Sequence, residues 1–166
     1  PDYGRGRAEE NLGRALKGKR NQVLVTSKVE IMPADRHRMA RKVVASIDES
    51  LRRLGMDHVD VLMIHNAPRT ENDWERSTWT PFVAEDYLCE GGAFEGVAQV
   101  IAAGKARLRG IACEDAEPAG LAPVVAHPAV SVLNIWLNML NPSSLLEPTA
   151  GRVNGPADYR GMAGMA

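Results

Sequence analysis

Residues 46–68 read SIDESLRRLGMDHVDVLMIHNAP, and the pattern within them decides how the chain folds. Ile47, Leu51 and Leu54 continue a stripe begun by Met39, Val43 and Val44 at three- and four-residue spacing. Arg41, Lys42, Asp48, Glu49 and Arg52 lie off that stripe, so the segment predicts a helix that buries one face. Asp35 is placed to cap its start and Gly55 to end it, because glycine accepts the left-handed conformation that closes a helix. Val59 to Ile64 is then a nearly continuous apolar run, the signature of a strand buried on both faces, and it ends at His65.

The same alternation extends in both directions. Val23 to Val25, Leu108 to Ile111 and Val130 to Ile135 are further short, β-branched runs, the first leading through "VLVTSK" to Lys28. Helical stripes fall between them: Ala8 to Leu16, stopping at Gly18; Ala93, Phe94, Val97, Ala98 and Ile101, closed by Gly104; and a segment with Pro118 in its first turn, ending at His127 and Pro128. Strand and helix in regular alternation with short connections imply a parallel α/β fold. A doubly wound open sheet and a (β/α)8 barrel compete, and the first strand is followed by no GxGxxG, which counts against the dinucleotide-binding open sheet.

One segment breaks the rhythm. Residues 69–92 carry Trp74, Trp79, Pro81, Phe82 and Tyr87 among charges, directly after a strand. A long βα loop of this kind suits a substrate-facing wall at the mouth of a barrel, and equally an insertion packed on its own aromatics. The tail from Pro142 to Pro156 reads as irregular. The 166 residues are expected to form a single domain, and the open ends at Pro1 and at "DYRGMAGMA" suggest a piece of a longer barrel.

Composition excludes several classes. Hydrophobic residues are 45% and charged residues 25%, and the net charge of −1 supplies no electrostatic grip on nucleic acid or an anionic membrane. No apolar stretch of about eighteen residues offers a transmembrane helix. Cys89 and Cys113 are far apart and form no CxxC, so neither a disulfide framework nor a zinc site is expected, and a reducing cytoplasm is the default compartment.

Lys28 and His65 both close apolar strands, where parallel α/β proteins build their sites. Taken singly, each has a bland reading: Lys28 as a lysine snorkelling to the surface, His65 as a hydrogen-bonded structural histidine, Tyr3 in "PDYGRG" as a loop aromatic. The surrounding motifs join them. "DYGRGRAEENLGRAL" (2–16), "VLVTSKV" (23–29), the 46–68 stretch, "VIAAGKARLRGIAC" (100–113) and "VLNIWLNMLNPSS" (132–144) resemble, in order, successive segments of the aldo-keto reductase family.

The resemblance implies an eight-stranded (β/α)8 barrel, here in part, and an oxidoreductase interconverting a small aldehyde, ketone or sugar and its alcohol. The stretch around "NAP" and "GGAFEG" leans toward the sugar or aldose dehydrogenase branch. It implies a nicotinamide cofactor, NADP(H) in preference to NAD(H), a small-molecule carbonyl or sugar partner, and room for a homo-oligomer but for no nucleic acid or membrane. Tyr3 would be the general acid, and His65 would orient the carbonyl oxygen. Lys28 would be the ammonium whose charge favours the phenolate. The family's aspartate that pairs with the lysine belongs a few residues before the tyrosine, a place that falls ahead of Pro1 and that Asp2, adjacent to Tyr3, does not match. Where the family holds the nicotinamide carboxamide with Ser and Asn, this sequence has Ala112 and Cys113, followed by Glu114 and Asp115; Asn134 stands where the family has Gln. Cys113 and Asn134 are the candidate cofactor contacts. The rival readings are a barrel without turnover that binds or regulates, which Ala112 would permit, and a Schiff-base lyase on Lys28.

Overall fold

A computed structural model describes residues 3–72 and 80–136, together with 139, 145 and 162–165. The elements are α1 (Arg7–Ala15), β1 (Thr26–Val29), α2 (Met39–Leu54), β2 (Val59–Ile64), α3 (Ala84–Leu88), α4 (Ala93–Ala102), β3 (Ala106–Ala112), α5 (Pro118–Val125) and β4 (Val130–Asn134). The four strands form one sheet in the order β1-β2-β3-β4, and every pairing is parallel. This is the expected strand–helix alternation of a partial barrel, adjacent strands in sequence being adjacent in space. Among the described residues no helix is long and apolar enough to cross a membrane.

The pairing register sorts the side chains. Lys28 is opposite Met63, Met63 opposite Gly110, and Gly110 opposite Val132. Because side chains alternate along a strand, Lys28, Met63, Gly110, Ala112, Val132 and Asn134 share one face. Val29, Leu62, Ile64, Ile111 and Leu133 share the other, where they join the apolar core with Val43 and Ile47 of α2, Val97 and Val100 of α4 and Leu121 and Val124 of α5. Helices therefore cover one face of the sheet, and the polar rim residues belong to the opposite one.

Three local expectations shift. The first strand begins at Thr26, not at Val23, and Leu24 is 82% exposed. The ladder starts only where Val25 meets Asp60: the Val25 N–H donates to Asp60 Oδ2 at 2.8 Å, and the Val25 carbonyl accepts from the Asp60 N–H at 2.8 Å. Lys28 consequently lies inside the strand, with Val29 after it. Asp35 does not cap α2; it sits in the preceding 3₁₀ turn, Pro33–Arg38, and pairs with Arg38 at 2.6 Å and Lys42 at 3.3 Å. Gly55 ends α2 as expected, in the left-handed conformation at φ 63°.

The interrupting segment is anchored by its aromatics. Phe82 and Tyr87 are fully buried, and the rings of Phe82, Tyr87 and Phe94 meet edge to face at 5.5 and 5.4 Å. These two side chains belong to the core beneath the sheet and do not wall a substrate channel. Trp74 and Trp79 lie outside the described residues, as does the tail from Pro142 to Pro156 apart from Leu145.

Helices α2 and α4 touch through Gly96. A Cβ there would stand 2.7 Å from the Ala40 carbonyl oxygen and 2.8 Å from Val43 Cβ, with backbone on one side and core on the other. Gly96→Ala should therefore destabilise by about 1–3 kcal/mol, as overpacking does, despite the gain of about 1 kcal/mol in helix propensity. Chemical denaturation measures it; a midpoint raised by the alanine would show that the helices separate at no cost.

Candidate active site

Tyr3 is placed by a chain of left-handed residues. Gly4, Arg5 and Gly6 have φ of 62°, 57° and 88°, which turns the chain sharply into α1, and the Ala8 N–H donates to the Tyr3 carbonyl. α1 is in turn locked to the sheet. Glu9, buried beneath it, accepts from Ser27 Oγ at 2.9 Å and from Arg53 Nε at 2.7 Å. Burial opposes the charge on Glu9, but the hydrogen bonds from Arg53, Ser50 and Ser27 outweigh it and hold its carboxyl below the ordinary range. The network joins α1, β1 and α2 and brings Tyr3 over the strand ends, its ring 6.4 Å from that of His65. Tyr3 is 55% exposed, so it stands at the rim of the site.

His65 is held by its backbone and its neighbour. Its N–H donates to the Val29 carbonyl at 2.8 Å, continuing the β1–β2 ladder. Asn66, fully buried, accepts from the Ile31 N–H at 2.9 Å through Oδ1 and donates through Nδ2 to the carbonyls of Ile31 and Thr80 at 2.8 and 3.0 Å. The Tyr87 hydroxyl donates to the Asn66 carbonyl. One amide thus ties the loops after β1 and β2 together. Asn66 was not singled out from sequence; the signal available was a polar residue directly after a buried strand, with nothing to say where its amide would be spent.

Lys28 Nζ meets Glu114 Oε1 at 2.9 Å, and the same oxygen is 3.9 Å from His65 Nε2. The side chains of Lys28, Glu114 and His65 retain only 17%, 18% and 12% of their exposure. Burial first, and the Lys28 ammonium second, push the His65 imidazole below its ordinary value of 6.5, while Glu114 pulls the other way. His65 is therefore neutral near pH 7 and retains a ring nitrogen able to donate or accept. Glu114 is the residue that sequence reading passed over as a departure. It lies two positions beyond Ala112, and the alternation that puts Ala112 on the Lys28 face is the signal that finds it.

The same alternation separates the two candidate cofactor contacts. Asn134 is opposite Ala112 at the end of β4, half-buried, on the face of Lys28. Cys113, one residue on from Ala112, is completely buried in the helix-side core. Burial, with a smaller contribution from Glu114, pushes its thiol up to about 12. The structure brings Tyr3, Lys28, His65 and Asn134 toward one rim and leaves the Cys113 side chain out of that group; its N–H donates to the Asn134 carbonyl at 2.9 Å. Tyr3 and His65 line a cleft of about 780 Å³ that continues past Glu30 and Met32 to Lys42 and Glu49 of α2. No cluster of three metal-ligating side chains occurs among the described residues.

The aldo/keto reductase family model matches residues 1–151. The chain belongs to this family. A curated relative, the aldo-keto reductase YhdN of Bacillus subtilis, is 35% identical over 71 residues, which are 39% of this chain and 22% of the relative. Among solved structures, an aldo/keto reductase of Klebsiella pneumoniae in complex with NADP and acetate superposes with a TM-score of 0.61 at 22% identity, covering 87% of this chain and 43% of that one. The Bombyx mori aldo-keto reductase in complex with NADP gives a TM-score of 0.52 at 20% identity, covering 78% and 41%. The chain thus spans less than half the length of these family members, and the shared architecture is the barrel in part.

Since the folded imidazole of His65 is depressed below 6.5, its neutral form stabilises the fold above that pH, and this contribution is lost as pH falls below about 6.5. Melting temperatures of the parent and of His65→Gln, compared between pH 7.5 and 5.5, should converge toward acid. A constant difference would place the imidazole in ordinary solvent.

Proposed function

We propose that this aldo/keto reductase chain carries the proton-donating half of a carbonyl reduction, with Tyr3 as general acid, Lys28 as the charge behind it and His65 as the group that orients the carbonyl oxygen. The observation that carries the reading is the convergence of a rim phenol, a half-buried ammonium and a neutral imidazole on one face at the strand ends. The Tyr3 hydroxyl donates its proton to the carbonyl oxygen, and the nearby ammonium favours the phenolate left behind. His65, held neutral by burial, donates a hydrogen bond to the same oxygen and fixes its direction.

The residues present fit a nicotinamide at this rim. Its carboxamide needs a donor and an acceptor, and the Asn134 side chain offers both from the correct face, whereas Ala112 offers only backbone. When bound, the cofactor supplies the hydride that reaches the carbonyl carbon. NADP(H) is preferred over NAD(H) because the related structures from Klebsiella pneumoniae and Bombyx mori hold NADP. The substrate is a small aldehyde, ketone or sugar admitted through the cleft beside Tyr3. The alternative, a barrel that binds without turnover, draws on Ala112, which removes one side-chain anchor.

In the intact protein, Tyr3→Phe should lower carbonyl reduction by about a hundred- to ten-thousand-fold, the usual worth of a positioned acid, with cofactor affinity nearly unchanged. Steady-state kinetics and fluorescence titration of the nicotinamide read the two quantities separately. Turnover at the parental level would end the assignment of Tyr3, and no turnover in the parent would favour the binding protein.

A further inference from the structure

We propose that Asn66 is a positioning residue for His65: its buried amide aims the imidazole and so fixes which face of a carbonyl substrate is presented for reduction. The proposal rests on the reading of His65 as the group that orients the carbonyl oxygen.

The backbone ladder between β1 and β2 ends at His65, whose N–H donates to the Val29 carbonyl at 2.8 Å. One residue later a side chain takes over the pairing. Asn66 Oδ1 accepts from the Ile31 N–H at 2.9 Å and Nδ2 donates to the Ile31 carbonyl at 2.8 Å, so the amide engages both backbone groups of Ile31 as a neighbouring strand would. Nδ2 also donates to the Thr80 carbonyl at 3.0 Å, and the Asn66 main-chain carbonyl accepts from the Tyr87 hydroxyl. Asn66, Ile31 and Tyr87 are all fully buried, where these bonds meet no competition from water.

His65 is therefore held on both sides of its Cα. Its own N–H is in the ladder, and the next residue is fastened to three other segments of the chain. Beyond Asn66 the fastening continues, with the Phe82 N–H donating to the Ala67 carbonyl at 2.9 Å and the Arg69 N–H to the Phe82 carbonyl at 2.8 Å. Side chains occupy staggered wells whose choice depends on the backbone dihedrals, so fixing the peptide after His65 restricts the direction of its ring. An apolar side chain would fill the place of Asn66 without the cost of burying an amide; what the amide adds is direction. Direction matters to this chemistry. A carbonyl is planar, and the enantiomer formed depends on which face meets the hydride, so the group that orients the oxygen selects the product.

The test uses the intact protein reducing a prochiral aryl methyl ketone, with the enantiomers separated by chiral chromatography and the His65 ring followed by nitrogen-15 NMR relaxation. Asn66→Ala removes all three side-chain bonds. Tyr87→Phe removes only the hydroxyl and leaves the ring against Phe82 and Phe94. In Asn66→Ala kcat should fall by about ten- to a hundred-fold, the loss that a misplacement of about an ångström brings, with KM nearly unchanged. The ratio of enantiomers should fall and the ring should gain fast motion; Tyr87→Phe should move both in the same direction by less. Gly96→Ala, which strains the contact of α2 with α4, is the stability control and should keep the parental ratio and ring relaxation. A folded Asn66→Ala protein with the parental ratio or the parental ring relaxation would overturn the proposal, as would Gly96→Ala shifting both as far as Asn66→Ala. If Asn66→Ala does not fold, Tyr87→Phe decides by the same two readings. If His65→Gln keeps the parental ratio, the carbonyl-orienting reading fails by itself, and the ring relaxation still decides whether Asn66 aims His65.

Discussion

Parallel strands that end at a common rim impose an alternation on everything that follows them. In this chain the register carries that alternation across all four strands, so a residue's parity decides whether it meets helices or the rim. Leu62, Ile64, Ile111 and Cys113 fall on the helix side and are sealed; Lys28 and Asn134 fall on the other and stay partly exposed. A one-residue slip in any pairing would exchange the two sets and bury charge in the core. The hydrogen bonds between Val25 and Asp60 fix that register at the start of the first pair, and Asn66 fixes the loops where it ends.

Buried charge is treated differently on the two faces. On the rim side Lys28 and His65 share Glu114, and in this compact group the Lys28 ammonium and the Glu114 carboxylate act on the His65 imidazole in opposite directions. On the helix side Arg109 is 5% exposed and lies over the Phe94 ring at 4.5 Å, donating to the Phe94 carbonyl at 3.1 Å. Among the described residues its Nε finds no hydrogen-bond partner, and burial lowers its affinity for a proton. A guanidinium tolerates this because it stacks on an aromatic face and is weakly hydrated, which an ammonium at the same place would not.

The loops are stiff where they approach the site. Tyr87 and Phe82 sink into the core, the Asn66 carbonyl accepts from the Tyr87 hydroxyl, and Arg69 spans to Asp115, so the described residues after β2 and β3 are tied to one another. That coupling gives Glu114 a defined position although it lies in a turn. It also explains why two of the aromatics that suggested a substrate wall are structural: an aromatic between a strand end and a helix start is more effectively used to fill the space beneath the loop than to face water.

Much was determined by sequence alone. The apolar run from Val59 to Ile64, the stripe ending at Leu54 and the glycine after it define a helix–strand unit through local periodicity, and its recurrence implies a parallel barrel-like fold. His65 was legible as a rim residue because it follows a buried run, and Lys28 and Tyr3 because their motifs stand in the family's order. Tertiary structure decided the rest. That Glu114 joins Lys28, that Cys113 turns inward, that Asn66 ties two loops and that the first strand starts at Thr26 all follow from strand register and long-range hydrogen bonds. Lys28 and Glu114 are 86 positions apart, and local periodicity carries no information over such a separation; only the pairing of β1 with β2 and β2 with β3 brings them to 2.9 Å.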